Sequence, residues 1–570
     1  MKTVWGEALD ANKVLQEYPR PQMVRTSYVN LNGVWDCAFT ETAEQPDTFD
    51  QTILVPFSPE CELSGVGRVL KPDEFLWYRR TFALPPEAGM RTLIHFGAVD
   101  QFASVWVNGE NVGEHAGGYL PFALDITSAL TEGENTLVVR VRDESDASYH
   151  SRGKQKTARG GIWYTPQSGI WQTVWCERVP ETYIARLTVT PDYDGAAVEI
   201  TVHSAADETC AVRFALAEYA GRTNAPIRVP VPDFTPWSPE QPHLYAFSAS
   251  LGGDTVESYF AMRKFSMEQD DAGGPRLFLN GRPYFHTGEL DQGYWSDGMY
   301  TAPSDEALIY DIELMKRMGF NMLRKHIKVE PLRWYYHCDR LGMLVWQDMI
   351  NGGGQYKAWS ISSPLFLGNA HSDGDYRYFA REDERGRAEY REELAGMMEL
   401  LYNCPCIAMW VPFNEGWGQF DSRGIVTMMR LLDQTRTIDH ASGWHDQGIS
   451  DVKSYHVYFK PYRFRPDKRG RAVALTEFGG YTLHLPDHSF HAKAFGYRPY
   501  HEEEGLRKGF TRLYERQVIA AKAKGLAAAV YTQVSDVEDE TNGFVTYDRK
   551  VVKMDVSAVA AINARLRDEV

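Results

Sequence analysis

Two apolar runs end in glutamate. Ile407-Ala408-Met409-Trp410-Val411 is followed by Pro412-Phe413-Asn414-Glu415-Gly416-Trp417, and Ala472-Val473-Ala474-Leu475-Thr476 is followed by Glu477-Phe478-Gly479-Gly480. Each run reads as a buried strand. The Glu415 carboxyl, at the mouth of such a strand and between two tryptophans, is expected to have a raised pKa, because low dielectric disfavours the charged form. That suits a general acid better than a solvated surface glutamate. Two such strands suggest a carboxylate pair, provided the chain brings them together. Other chemically capable groups follow apolar runs in the same way. Arg324-Lys325-His326 follow Phe320-Asn321-Met322-Leu323, Gln347-Asp348 follow Met343-Leu344-Val345-Trp346, and Trp444-His445-Asp446, His456, Tyr458 and Tyr531 end later runs.

The elements that must position these groups alternate from about residue 276. A helix over 305–318, with Ser304 as its N-cap and Gly319 at its end, precedes the run ending at Leu323. Helices over 330–341, 384–403 and 502–524 precede later runs, and Pro283 to His286 reads as the first strand. About eight strand–helix repeats predict a (β/α)8 TIM barrel, whose active site lies at the C-terminal ends of the strands, where every one of these polar groups falls. The segment 350–383, with Gly352-Gly353-Gly354, Trp359 and His371, is an insertion at that face, either a pocket wall or a disordered loop. Upstream the pattern is β. Residues 1–180 carry strand-like runs with turn signals, Asn108-Gly109 the strongest, and read as a jelly-roll β-sandwich. Residues 181–268 read as an immunoglobulin-like β-sandwich, and 270–275 as a linker into a catalytic barrel assigned to 269–570.

Composition narrows the function. Acidic residues outnumber basic ones by 77 to 60, for a net charge of −17, which argues against nucleic acid as a partner. No stretch approaches the roughly 20 apolar residues of a membrane span, and no signal-peptide core is visible, so a cytoplasmic protein is expected. The seven scattered cysteines fit free thiols in a reducing compartment. The 13% aromatic content suits stacking on sugar rings and equally suits many β-strands.

Five motifs in order carry a resemblance to a known family. Leu31-Asn32-Gly33-Val34-Trp35, the segment from Gly161 to Trp171, Tyr259-Phe260-Ala261-Met262-Arg263-Lys264, Phe278-Leu279-Asn280-Gly281, and Asn414-Glu415 with Glu477 together resemble glycoside hydrolase family 2, the β-galactosidases, β-glucuronidases and β-mannosidases. The resemblance covers nearly the whole chain. It implies a retaining exo-β-glycosidase with Glu415 as acid/base and Glu477 as nucleophile, with carboxyls about 5–5.5 Å apart. It also implies a substrate-binding set of Asn414, Arg324, His326, Asp348, His456, Tyr458, Trp444 and Tyr531. Asn414 would hydrogen-bond the sugar's 2-hydroxyl, while Tyr458 and Arg324 would keep Glu477 ionised. The substrate would be an oligosaccharide or glycoside, and the assembly a homo-oligomer, dimer or tetramer.

Departures from the family pattern surround the sugar pocket. His326 stands two residues after Arg324, where better-known members have a histidine three after; Ile327 occupies that place. Trp163 or a neighbour falls where a jelly-roll aspartate is usual, and Tyr531 where a tryptophan is usual. Glu540-Thr541-Asn542 replaces the Asn-x-Lys that grips a uronate, which disfavours a glucuronidase. Asp348-Met349-Ile350-Asn351-Gly352 replaces the magnesium loop of large galactosidases, so no catalytic metal and no cofactor are expected. A β-galactosidase is the simplest reading. A β-galactofuranosidase, an arabinosidase or an enzyme for another uncommon sugar is the alternative, and a non-catalytic carbohydrate-binding protein is the reading from a different class.

Overall fold

The computed structural model describes residues 1–368, 370–492 and 494–567. Eight parallel strands form the C-terminal domain: β1 (His286–Asp291), β2 (Met322–Lys325), β3 (Leu344–Asp348), β4 (Ile407–Val411), β5 (Thr437–Ile438), β6 (Val452–Val457), β7 (Ala472–Gly479) and β8 (Leu526–Thr532). Their hydrogen-bonded order is β5-β4-β3-β2-β1-β8-β7-β6. The remaining seam is closed where the Asp451 N–H donates to the Ile438 carbonyl at 3.1 Å and the Asp451 carboxylate accepts from the Ile438 N–H at 2.8 Å. This is a TIM barrel. Strands β3, β4, β7 and β8 are buried at every position, as expected of a parallel sheet covered on both faces.

The longer helices are α1 (Asp305–Arg317), α2 (Leu332–Leu341), α3 (Ala358–Leu367), α4 (Glu384–Leu401), α5 (Ser422–Leu432), α6 (Glu503–Leu513) and α7 (Val556–Arg567). Ser304 caps α1 by accepting from the Ala307 N–H at 3.3 Å, and Asp383 caps α4 through the Arg385 N–H at 2.9 Å. The helix expected over 502–524 is interrupted by a wider π turn at Tyr514–Ile519.

Three sequence expectations are corrected. The first barrel strand is His286–Asp291 rather than 283–286; Arg282–Pro283 instead pairs antiparallel with the end of Pro275–Leu279. The polar groups expected after their strands lie partly within them. Arg324 pairs with Leu290 and Trp346, and His456 pairs with Glu477. Apolar runs mark the lower part of a strand, whereas near the mouth the side chains turn polar while the backbone goes on pairing. Finally, 270–274 is no linker but the turn of a hairpin between Phe265–Gln269 and Pro275–Leu279. The Asp270 carboxylate accepts from the Gly274 N–H at 2.7 Å, and Gly273 takes φ +77°, which costs glycine little.

Upstream stand two sandwiches. In the jelly roll, a six-stranded sheet and a four-stranded sheet enclose a core that includes Trp35, Tyr78, Ile94, Phe96, Val105 and Val139. Its Phe102–Val107 and Glu110–Ala116 hairpin turns at Asn108-Gly109, with φ +50° and +83°. The second sandwich packs a three-stranded on a four-stranded sheet around Val198, Ile200, Val212 and Phe247. Asp339 on α2 joins it to the barrel. Its carbonyl accepts from Trp237 Nε1 at 2.8 Å, and its carboxylate accepts from the Tyr259 hydroxyl at 2.7 Å and the Cys406 N–H at 2.8 Å. Trp237 is completely buried, and truncating such a residue costs about 3–5 kcal/mol. Among the described residues, no helix is long and apolar enough to cross a membrane, and all seven cysteines are buried and free.

One buried acid lies outside these networks. Glu289 on β1 is fully buried, and neither carboxyl oxygen has a hydrogen-bond partner among the described residues. Burial pushes its pKa well above the ordinary range. A raised folded pKa means the folded state holds the proton more tightly, so this residue's contribution declines as pH rises above its unfolded pKa, by about 1.4 kcal/mol per pH unit. Glu289→Met is therefore expected to raise the unfolding temperature at pH 7, with the gain shrinking towards pH 4. Thermal unfolding across that range checks it, and a pH-independent difference would refute the assignment.

Candidate active site

Beyond β4 the chain runs through Pro412–Asn414, and Glu415 adopts φ +52° with Gly416 at +77°. A left-handed conformation in a non-glycine residue costs roughly 1–2 kcal/mol. It is held by the Glu415 N–H donating to the Ser442 carbonyl and the Trp417 N–H to the Asn414 carbonyl, both at 3.0 Å. The Glu415 side chain, 12% accessible, then meets His456 of β6, with Oε1 2.7 Å from Nδ1. The same Nδ1 lies 3.4 Å from Oε2 of Glu477 on β7. One ligating atom from each of these three side chains falls within 4.8 Å of the other two. The two strand-end glutamates, 62 positions apart in sequence, therefore meet at the barrel mouth. His456 Nε2 faces Ser442 Oγ at 3.1 Å, and its ring lies over Gly443, where a Cβ would come within 2.5 Å.

Beneath the pair, Arg324 of β2 is wholly buried. Its Nε and Nη2 donate to the two Asp348 oxygens at 2.9 and 3.0 Å, Nη2 also to Asn414 Oδ1 at 2.9 Å, and Nη1 to Glu477 Oε1 at 3.1 Å and the Thr476 carbonyl at 3.2 Å. Burial alone would push the Glu477 carboxyl up, but the imidazole of His456 and the Arg324 guanidinium outweigh it and hold it down at about 2. The Tyr458 hydroxyl donates to Glu477 Oε2 at 2.6 Å and contacts Thr532 Oγ1 at 2.9 Å. Burial and the neighbouring Glu477 carboxylate push that phenol well above its ordinary range, so it stays a neutral donor. His326 Nδ1 lies 2.7 Å from Asp348 Oδ2, and burial drives its pKa well down. A neutral ring donating from Nδ1 leaves Nε2 as an acceptor.

The model for the sugar binding domain of glycosyl hydrolases family 2 matches residues 67–180, and that for the family's TIM barrel domain matches 275–474, together more than half of the chain. The chain belongs to glycoside hydrolase family 2. A β-galactosidase of Priestia megaterium is 25% identical over 491 residues, covering 78% of this chain and 41% of that protein. A putative β-glucuronidase of Formosa agariphila is 26% identical over 364 residues, covering 59% and 41%. The chain thus spans less than half the length of these relatives. Among solved structures, the β-D-glucuronidase of Dictyoglomus thermophilum superposes with a TM-score of 0.75 at 18% identity, covering 97% of this chain and 99% of that one. A family 2 β-galacturonidase of Eisenbergiella tayi, bound to galacturonate, gives 0.71 at 19% identity, covering 96% and 99%.

A cavity of about 360 Å³ opens above the pair, lined by Glu415, Tyr458 and Trp444 among others. Trp444 sits beside His456, ring centres 6.2 Å apart. Trp163 stands in the wall against Trp417, ring centres 4.4 Å apart. The 350–383 insertion supplies Tyr356, Ala358 and Ser362 to this wall; its Asn369 lies outside the described residues. The insertion is tied to the jelly roll, where the Gly353 N–H donates to the Tyr149 carbonyl at 2.8 Å and the Arg152 N–H to the Asn351 carbonyl at 3.0 Å.

Not every residue of the expected set reaches the cavity. Tyr531 is buried against Phe544, its hydroxyl accepts from the Tyr481 N–H at 3.1 Å, and it is absent from the cavity wall. Asp348 is occupied with Arg324 and His326, and Asn414, Arg324, His326 and His456 likewise lie outside the cavity lining. Conversely, Tyr497 stacks on Tyr458 at 3.7 Å, and the Tyr164 hydroxyl donates to buried Glu540. Tyr497 comes from an irregular stretch, where no periodicity marks it. Lys154 lies 5.8 Å over the Tyr164 ring, close enough to help lower Glu477. Among the described residues, Glu415, His456 and Glu477 are the one such group able to converge on a metal ion, and their atoms already contact one another.

The depressed Glu477 pKa predicts a stability signature independent of turnover. Its folded value lies below its unfolded one, so the ionised group contributes stability that is complete above pH 5 and lost as pH falls towards about 2. The contribution is on the order of 3 kcal/mol. Glu477→Gln cannot ionise and is expected to lose less stability than wild type between pH 5 and pH 3. Thermal unfolding reads this, and equal losses in the two proteins would contradict the ion network.

Proposed function

We propose that the chain is a retaining exo-β-glycosidase that releases terminal non-reducing β-linked sugars, most simply a β-galactosidase. The carrying observation is the approach of the Glu415 and Glu477 carboxyls, with interacting atoms within 4.8 Å. An approach this close supports a retaining pair, whose carboxyls stand about 5–5.5 Å apart, over an inverting one, whose carboxyls stand roughly 6.5–9.5 Å apart to admit a water. Glu477, ionised and held by Arg324 and Tyr458, attacks the anomeric carbon. Glu415 protonates the leaving oxygen, then deprotonates the water that releases the sugar. His456 orients Glu415. Asn414 accepts from Arg324 through Oδ1, which leaves its amide N–H groups to donate to the 2-hydroxyl.

A neutral sugar is supported by Glu540. Glu540 lies near enough to Glu477 for their charges to repel, which would disfavour a uronate. Neutral alternatives, a galactofuranoside or an arabinoside, fit the same argument. The β-galactosidase relative supports the galactoside, and the names of the structural neighbours point to uronides. Homo-oligomeric assembly and a cytoplasmic location, which would suit the free thiols, belong to the same proposal.

Two variants and a panel test it. Glu477→Gln is expected to abolish turnover. Glu415→Ala should lose about 10²–10⁴-fold on alkyl or sugar leaving groups, yet retain slow hydrolysis of dinitrophenyl glycosides, where protonation matters least. A loss independent of leaving group, or normal rates in Glu477→Gln, sinks the roles. A panel of nitrophenyl galactosides, galactofuranosides, arabinosides and glucuronides is expected to show galactoside turnover well above glucuronide turnover. Strong glucuronide hydrolysis overturns the neutral-sugar reading.

A further inference from the structure

The cavity above the carboxyl pair is walled by aromatic rings drawn from segments far apart in the chain. On the jelly-roll side, Trp163 contacts Trp417 at 4.4 Å and Tyr356 at 6.1 Å. On the other, Tyr497 contacts Phe459 at 5.5 Å and Phe495 at 5.8 Å. These rings are not a closed core. Phe459 is 68% exposed, as is Trp359 at 64% next to the lining residue Ala358. Large apolar rings left open to solvent around a cleft mark a surface that waits for an apolar partner.

Polar lining is sparse in this outer part. Ser362 Oγ already donates to the Ala358 carbonyl at 2.7 Å. Lys156 lies 4.2 Å over the Trp163 ring. A sugar in this position would bring hydroxyls around its whole edge, each needing a partner once desolvated. A flat aromatic group needs ring faces and edges, which the walls supply.

From this we propose that the natural substrates are β-glycosides of planar aromatic alcohols, with the aryl aglycone held between the Trp163 and Tyr497 walls, rather than oligosaccharides. The inference rests on the glycosidase reading above and adds its substrate class. In the reaction the glycosidic C–O bond breaks, the aryl alcohol leaves with a proton from Glu415, and water supplies the hydroxyl on the released sugar.

Thioglycosides, which resist hydrolysis, separate aglycone binding from leaving-group reactivity. With the full chain, the inhibition constants of a naphthyl thioglycoside and a β-linked thiodisaccharide are compared, both carrying the sugar that the nitrophenyl panel selects. The naphthyl compound is expected to bind about tenfold or more tightly, in line with one or two ring contacts. Trp163→Ala, and Phe459→Ser at an exposed position where folding is not at stake, should each weaken it at least about threefold. Equal or tighter binding of the thiodisaccharide, or an unchanged naphthyl constant in both variants, overturns the proposal. The fluoride of the same sugar, which has no aglycone ring, tests the underlying reading. If wild type turns it over while the naphthyl preference is missing, the aglycone assignment alone falls. If it is not turned over, both fall.

Discussion

A buried guanidinium governs the barrel mouth. Arg324 has no exposed surface, and a charge so placed is tolerable only when its donors are met by acceptors. Asp348, Asn414, Glu477 and the Thr476 carbonyl supply them, from β3, from the loop after β4 and from β7. One side chain thus fixes the mutual positions of four segments. With His456 it also sets the electrostatics, because burial would otherwise push Glu477 towards its neutral form. Asp348 shows the opposite balance. Burial raises its pKa even though it shares the same cation. The network therefore keeps Glu477 firmly ionised and leaves its neighbour Asp348 closer to neutrality.

Around that network the backbone is strained where the chemistry is placed. Ile327, Glu415, Ser442 and His445 all take positive φ at the C-terminal face. Such residues persist only where surrounding contacts over-determine them. Here the Glu415 N–H to Ser442 carbonyl bond couples two of them, and Gly443 and Gly416 let the His456 and His445 rings approach the backbone. The strain falls on the loops after β2, β4 and β5, while β4 and β5 themselves are wholly buried.

The sandwiches do more than precede the barrel. The second is fastened through Asp339, and the jelly roll through Arg152, Asn351 and Gly353, so the segment carrying Lys154, Lys156 and Trp163 is set over the mouth. One wall of the cavity is therefore built by a different domain from the carboxyl pair.

The sequence by itself determined the elements and the pair. Apolar runs of strand length, Ser304 as a cap, and glutamates closing two runs were all legible, because periodicity, capping and burial are local properties of a chain. Even there it stopped short. The Arg324, Asp348 and Glu477 positions read as loop residues, since hydropathy does not register a polar side chain whose backbone still pairs. The tertiary structure decided the rest. It sent Tyr531, a residue at a strand end like the others, into packing against Phe544, and brought unmarked Tyr497 onto Tyr458. It also set Trp163 opposite Trp417 across more than 250 positions of sequence. Which way a strand-end side chain turns, and which loop covers it, depends on contacts between distant segments, and no local pattern encodes these.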